Sequence, residues 1–332
     1  MSEPILSGPD VVAWFDEVAP KYGEGSPYRS CLKGVLWIDE PAEDGEPIGG
    51  NDPSRIINGV NEGIWPVLDN HDPGKLLGRV VAAKLFRSPE GVGFVAGYIG
   101  LYDQKAVLHL SDLDIAVTKP APPPTAVPEP HPSWRIQLLH DPRELESAWI
   151  EELAQGAPLP VVVDHLSHNA ADTIIELLRV GLPYALLLHP LVTEISKEAG
   201  RDIYKIFRSW LASLLERMKE RRQPVMSLQS YVGRCEVTFL FRGTDIARLR
   251  AAHQALAQAA ADAASMIRAI VDRQLSPVSA VYEYDPESGW FPSFVTLADG
   301  RIISERNTLF ALESSRKGLS LGIVSNPGDD RK

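Results

Sequence analysis

The sequence predicts an α+β protein of two domains, a small N-terminal β-barrel followed by an α/β domain with two long helices. Three observations carry this. The chain has 332 residues, enough for about two domains at ~100–200 residues each. A proline tract at 119–133 (KPAPPPTAVPEPHPS) holds seven prolines in fifteen residues. The texture changes across it, from short punctuated runs before to alternating strand-like and helix-like segments after.

The tract cannot sustain a helix or a central strand and favours extended polyproline II. It therefore reads as an interdomain linker, with an SH3-type ligand as the sharper alternative. The expected division is a β-barrel domain at 1–118, the linker at 119–133, an α/β domain at 134–324 and a polar tail at 325–332.

Before the linker, residues 10–19 (DVVAWFDEVA) suit a short helix opened by Asp10. Short apolar or alternating runs follow at 32–38, 65–68, 77–85, 93–101 and 107–117, separated by EDGEP, NHDPGK, SPEG and DQK. Such punctuation marks a small barrel or sandwich. Beyond the linker, 159–163 and 184–188 read as buried strands, with a helix at 172–179 between them. A long helix over 194–221 precedes a strand at 235–241. A second long helix at 245–273 is followed by a hairpin pairing 280–284 with 293–297. Strands alternating with helices imply a largely parallel or mixed sheet under helical cover.

Composition bounds the function. The chain is 44% apolar and 23% charged, with formal net charge −11, too apolar for disorder. No run reaches the ~18 apolar residues of a membrane span, and nothing at the start resembles a secretory signal. A cytoplasmic protein with no membrane partner is expected. Its acidity argues against nucleic acid as the main partner. Cys31 and Cys235 stand alone, which argues against a zinc ribbon or disulfide framework. The phosphate-loop, dinucleotide, HExxH and GxSxG signatures are absent, so no cofactor is expected.

The N-terminal residues carry a resemblance. Lys33-Gly34 leads into Trp37-Ile38-Asp39-Glu40-Pro41, then Glu43-Asp44-Gly45-Glu46-Pro47-Ile48. The segment Asn70-His71-Asp72-Pro73-Gly74-Lys75-Leu76-Leu77-Gly78-Arg79-Val80 follows, and after the loop 88–92 comes Gly93-Phe94-Val95-Ala96-Gly97-Tyr98-Ile99. Over about residues 30–117 this succession resembles the phage prohead (capsid maturation) proteases, similar in fold to the herpesvirus assemblins. The resemblance implies a serine endopeptidase domain of phage or phage-related origin, acting on a protein or peptide. By motif the general base is His71. An imidazole titrating near neutrality can take a proton from a hydroxyl, while the plainer reading of His71 is a turn residue. The family's nucleophile lies beyond a helix for which residues 102–105 leave no room. Ser111 is the nearest candidate in order, with His109 or Asp112 as orienting partner. On the expected strand His109 and Ser111 would share a face. The alternative is a catalytically inactive recognition or scaffold protein of this fold, whose α/β domain binds a ligand or a protein partner.

The α/β domain has a second cluster. The strand at 161–163 ends in Asp164-His165-Leu166-Ser167-His168-Asn169, and the one at 185–188 ends in His189. Ligands of open α/β sheets settle at the carboxyl ends of strands. If these two strands are neighbours, Asp164, His165, His168 and His189 form a candidate ligand site. No metal is assigned to it, and polar chemistry at a strand end is the plain alternative. In the 245–273 helix, Ile246, Leu249, His253, Leu256, Ala260, Ala263, Ile267 and Ile270 recur at steps of three and four, with Thr244 as N-cap. Their expected partner is the stripe Ile203, Phe207, Trp210, Leu214 and Met218 of the first long helix; a homo-oligomer through the 245–273 helix is the alternative.

Overall fold

The computed structural model describes residues 5–39, 52–62, 64–115, 121, 131–165, 175–188, 198–305 and 319–321. The protein is α+β and divides into two compact units: the first takes in the described residues up to Val107 together with 319–321, and the second those from Leu108 to 305.

In the first unit, helix α1 (Pro9–Val18) precedes strand β1 (Tyr28–Ile38). Helix α2 (Pro53–Glu62) leads into β2 (Trp65–Asp69), β3 (Leu76–Arg87) and β4 (Gly93–Tyr102). A late strand, β14 (Leu319–Leu321), pairs antiparallel with β2. The sheet order is β1-β4-β3-β2-β14. Every residue of β4 is buried, because helices cover both faces. Val95, Ile99 and Leu101 pack with Ile56 and Val60 of α2. Phe94, Ala96 and Tyr98 pack with Val11, Trp14, Phe15 and Val18 of α1. No closed barrel is present among the described residues. A barrel strand faces one interior, whereas the continuous apolar run of β4 serves two cores, one on each face.

The second unit is built on a mixed nine-stranded sheet of order β5-β13-β12-β11-β10-β9-β8-β6-β7. Its strands are β5 (Val107–Leu108), β6 (Ile136–His140), β7 (Val161–His165), β8 (Glu176–Gly181), β9 (Pro224–Val232), β10 (Cys235–Arg242), β11 (Pro277–Asp285), β12 (Gly289–Leu297) and β13 (Ile302–Ile303). Three neighbouring pairs are parallel: β6 with β7, β8 with β9, and β10 with β11. Helices α3 (Ser147–Gln155), α4 (Ala185–Leu188), α5 (Glu198–Met218) and α6 (Ile246–Asp272) contribute to one core with the sheet.

The two long helices lie where their periodicity placed them. Phe207, Trp210, Leu214 and Met218 of α5 share that core with Leu249, Leu256, Ala260, Ala263, Ile267 and Ile270 of α6. The α6 stripe is thus buried inside its own unit. Asp245, not Thr244, caps α6: its Oδ1 accepts from the backbone N–H groups of Ala247 and Arg248 at 2.9 and 3.2 Å.

Three local expectations are corrected. Residues 184–188 are not a strand: Ala185–Leu188 forms a short helix just after Pro183. The 172–179 segment, from Glu176 on, is strand and not helix. Leu177, Leu178, Arg179 and Val180 are all buried in β8, which uses both sides of the chain instead of one helical stripe. Only Val107–Leu108 of 107–117 is strand within the described residues, and Ser111–Leu113 is a 3-10 turn. His109 and Ser111 therefore do not share a strand face. Of the proline tract before residue 131, only Ala121 is described. Its N–H donates to Asp262 Oδ1 (2.7 Å) and its carbonyl accepts from Gln258 Nε2 (3.2 Å), so this point of the tract is tied to α6. The 325–332 tail lies outside the described residues.

Candidate functional site

His71 sits in the connection between β2 and β3, which is two successive tight turns. The Asp72 N–H donates to Asp69 O at 3.0 Å, and the Lys75 N–H to Asp72 O at 2.9 Å. Asn70 and His71 have φ of 49° and 59°, the left-handed region that Asn and His tolerate better than most residues. Asn70 Nδ2 donates to Asp69 Oδ1, and Asp72 Oδ1 accepts from Gly74 N. Lys75 Nζ lies 3.6 Å from Asp69 Oδ2 and 3.9 Å from Asp72 Oδ2. The imidazole is only 4% exposed. Gly78 of the same motif has a packing role. A Cβ on Gly78 would lie 2.1 Å from Gly100 O, so β3 and β4 approach closely only because that position is glycine.

Ser111 belongs to the second unit and opens an exposed 3-10 turn. Long-range ties hold this turn. Glu305 accepts from the Leu110 N–H, and Ser304 N donates to Leu108 O at 2.9 Å. Arg273 Nη2 donates to the carbonyl of Asp114, whose φ is 52°. His109 Nδ1 lies 3.8 Å from Glu305 Oε2, and Asp112 Oδ2 accepts from the His109 N–H at 3.2 Å. Asp112 therefore shapes the turn by capping its backbone. The expected nucleophile and base thus stand in separate units, each in its own turn.

The second cluster is reorganised. β7 has β6 as neighbour, and the register sets His140 beside His165 and Leu139 beside Asp164. The ring centres of His140 and His165 are 5.1 Å apart with planes at 89°. His140 is fully buried and His165 exposed. Nδ1 of His140 lies 3.0 Å from Leu145 O, which fixes the proton on Nδ1 and turns the Nε2 lone pair outward from that bond. Nε2 is buried with no hydrogen-bond partner among the described residues. Burial, aided by the neighbouring His165, holds the His140 imidazole below its ordinary pKa. Asp141 is engaged by Arg143 through two side-chain bonds of 3.0 and 2.7 Å. Asp164 alternates to the opposite face from His165, and its Oδ1 accepts the His165 N–H. His168 and His189 lie outside the described residues. Sequence reasoning missed His140; its signal was a polar His-Asp pair closing an apolar run, as the reversed pair Asp164-His165 closes another.

Among the described residues no group of three or more His, Cys, Asp or Glu side chains is placed to hold a metal ion. Two hollows stand out, of about 10 and 70 Å³, far below the ~300 Å³ of a small-ligand pocket. The larger lies between α3 and α5, at Leu153, Trp210 and Arg217. Among the described residues no helix is long and apolar enough to cross a membrane. No protein-family model matches the chain, and no match is found among curated proteins or solved structures.

Proposed function

We propose that the protein is a non-catalytic recognition protein: a prohead-protease-like first unit without an assembled catalytic centre, joined to a second unit that binds an extended polypeptide segment. The observation that carries this is the edge strand β7. It is the last strand of the nine-stranded sheet, and Val162 and Val163 are 42% and 40% exposed. Among the described residues it pairs with β6 alone. An apolar edge without proline accepts another strand, whose backbone completes the ladder. The catalytic reading needs base and nucleophile within hydrogen-bond reach, and its two residues belong to local turns in separate units.

One observation favours the endopeptidase as a second reading. The His109–Glu305 pair stands two residues from Ser111, and an imidazole held by a carboxylate is the usual activator of a hydroxyl. Two measurements decide between the readings. A fluorophosphonate probe is expected to leave Ser111 unlabelled; labelling that disappears in Ser111→Ala establishes the endopeptidase. Selection from a displayed random-peptide library is expected to enrich apolar, β-branched sequences whose binding is lost in Val163→Lys. Binding that survives this substitution removes β7 as the recognition edge.

A further inference from the structure

The paired histidines at the carboxyl ends of β6 and β7 have a geometry that ordinary packing does not require. A buried imidazole normally satisfies both nitrogens. Among the described residues His140 satisfies only Nδ1, through Leu145 O, and keeps a buried acceptor at Nε2 without a partner there. That is the arrangement of a metal-ligating histidine, whose second nitrogen donates to a backbone carbonyl and so fixes tautomer and ring orientation. The second imidazole is in the right place. Two histidines on one tetrahedral ion, each bound at about 2.0–2.1 Å, hold their ring centres about 5 Å apart; the observed separation is 5.1 Å. The parallel register sets both residues at equivalent positions on one face of neighbouring strands, so the pair rests on the sheet and not on a loop.

We propose that His140 and His165 are the protein ligands of a site for a borderline divalent transition metal such as Zn²⁺, with water completing the coordination. The donor set selects the metal. Two neutral imidazoles suit Zn²⁺, Ni²⁺ or Cu²⁺, whereas Ca²⁺ and Mg²⁺ require oxygen ligands. The buried carboxylate next in sequence to His140, Asp141, is engaged by Arg143. His165 is exposed, which supplies both an entry path and the freedom to rotate onto an ion.

The test uses the full chain and Zn²⁺ alone, with bound metal measured by equilibrium dialysis. One equivalent per chain is expected, with affinity reduced at least tenfold in His165→Ala, an exposed position whose loss leaves the fold intact. His131→Ala, at an exposed histidine elsewhere, is expected to bind as the parent does. Because His140→Ala risks unfolding, His140 is read in the intact protein: its Nε2 resonance in imidazole ¹⁵N spectra should shift on Zn²⁺ addition while Nδ1 stays protonated. Zn²⁺ uptake unchanged in His165→Ala, uptake lost in His131→Ala, or a His140 Nε2 that does not respond would each overturn the proposal. None of these outcomes bears on peptide binding at Val163, so the two readings fail separately.

Discussion

The two units bury their strands by different means. In the first, β2, β3 and β4 are consecutive antiparallel neighbours, joined by the 70–75 double turn and the Ser88–Val92 loop. In the second, three parallel pairs interrupt the sheet, and parallel neighbours cannot be joined by a tight turn. Their neighbours must come from elsewhere in the chain. The polar residues of the first unit's motif therefore shape local turns. Those of the second, among them His140, Arg179, Ser227 and Thr238, are brought together by distant segments. A motif dense in Asn, His, Asp, Pro and Gly is explained by a hairpin before any chemistry is needed, whereas the His140–His165 pair follows from no local rule.

The largest effect that would separate the units is Gly78→Ala. Its Cβ would lie 2.1 Å from the Gly100 oxygen, backbone that cannot rotate away. A loss of about 3 kcal/mol is expected in the first unit. In urea unfolding the first unit should melt early while near-ultraviolet signals of Trp210 and Trp290, both in the second unit, persist. A variant as stable as the parent would show that the β3–β4 approach is looser than described.

Acid should do the reverse and act on the second unit. Burial first, and then the charge of Arg208, push the His253 imidazole down to about 4, and His140 is lowered mainly by burial. The unfolded imidazole titrates near 6.5, so below that pH the unfolded chain binds more protons than the folded one. The stabilising contribution is complete above about pH 6.5 and is lost as pH falls toward about 4. For His253 this amounts to about 2 kcal/mol after allowance for its partial exposure. His253→Leu should flatten the pH dependence of urea midpoints between pH 7 and 4.5. An unchanged slope would mean that other groups carry the acid limb.

This contrast also sets what could be read from the chain. The α5 and α6 stripes, the β11–β12 hairpin and the runs of β2 to β4 are local patterns of period 3.6 or 2, and they were legible. The sequence misplaces β8 and α4 because a short, mostly apolar run such as Leu177–Val180, with Arg179 inside it, fits either period, and for β8 pairing with β6 and β9 decides the matter. The barrel rests on punctuation, which suits a sandwich equally, and on the family resemblance, and neither says whether one or both faces of β4 are covered. Of the candidate site, His71 and His165 were visible as polar residues at strand ends. His140 could be placed beside His165 only once β6 and β7 were known to be parallel neighbours. Glu305 was invisible for the same reason: its tie to Leu110 spans 195 positions.

The smallest effect bears most directly on function. If the Ser111 turn is a structural tie, its stability depends on Glu305 and not on the hydroxyl. Glu305 accepts from Leu110 N and faces His109, so Glu305→Ala removes the partner of a backbone donor where β5 meets β13. About 1 kcal/mol is expected to be lost, with faster amide exchange at Leu110. Ser111→Ala, on an exposed turn, should stay within about 0.5 kcal/mol of the parent. A catalytic arrangement predicts the opposite weighting, because an active-site hydroxyl is placed at a cost in stability that alanine relieves. A Ser111→Ala variant stabilised by more than about 1 kcal/mol would therefore count against the recognition reading and return the turn to the candidate nucleophiles.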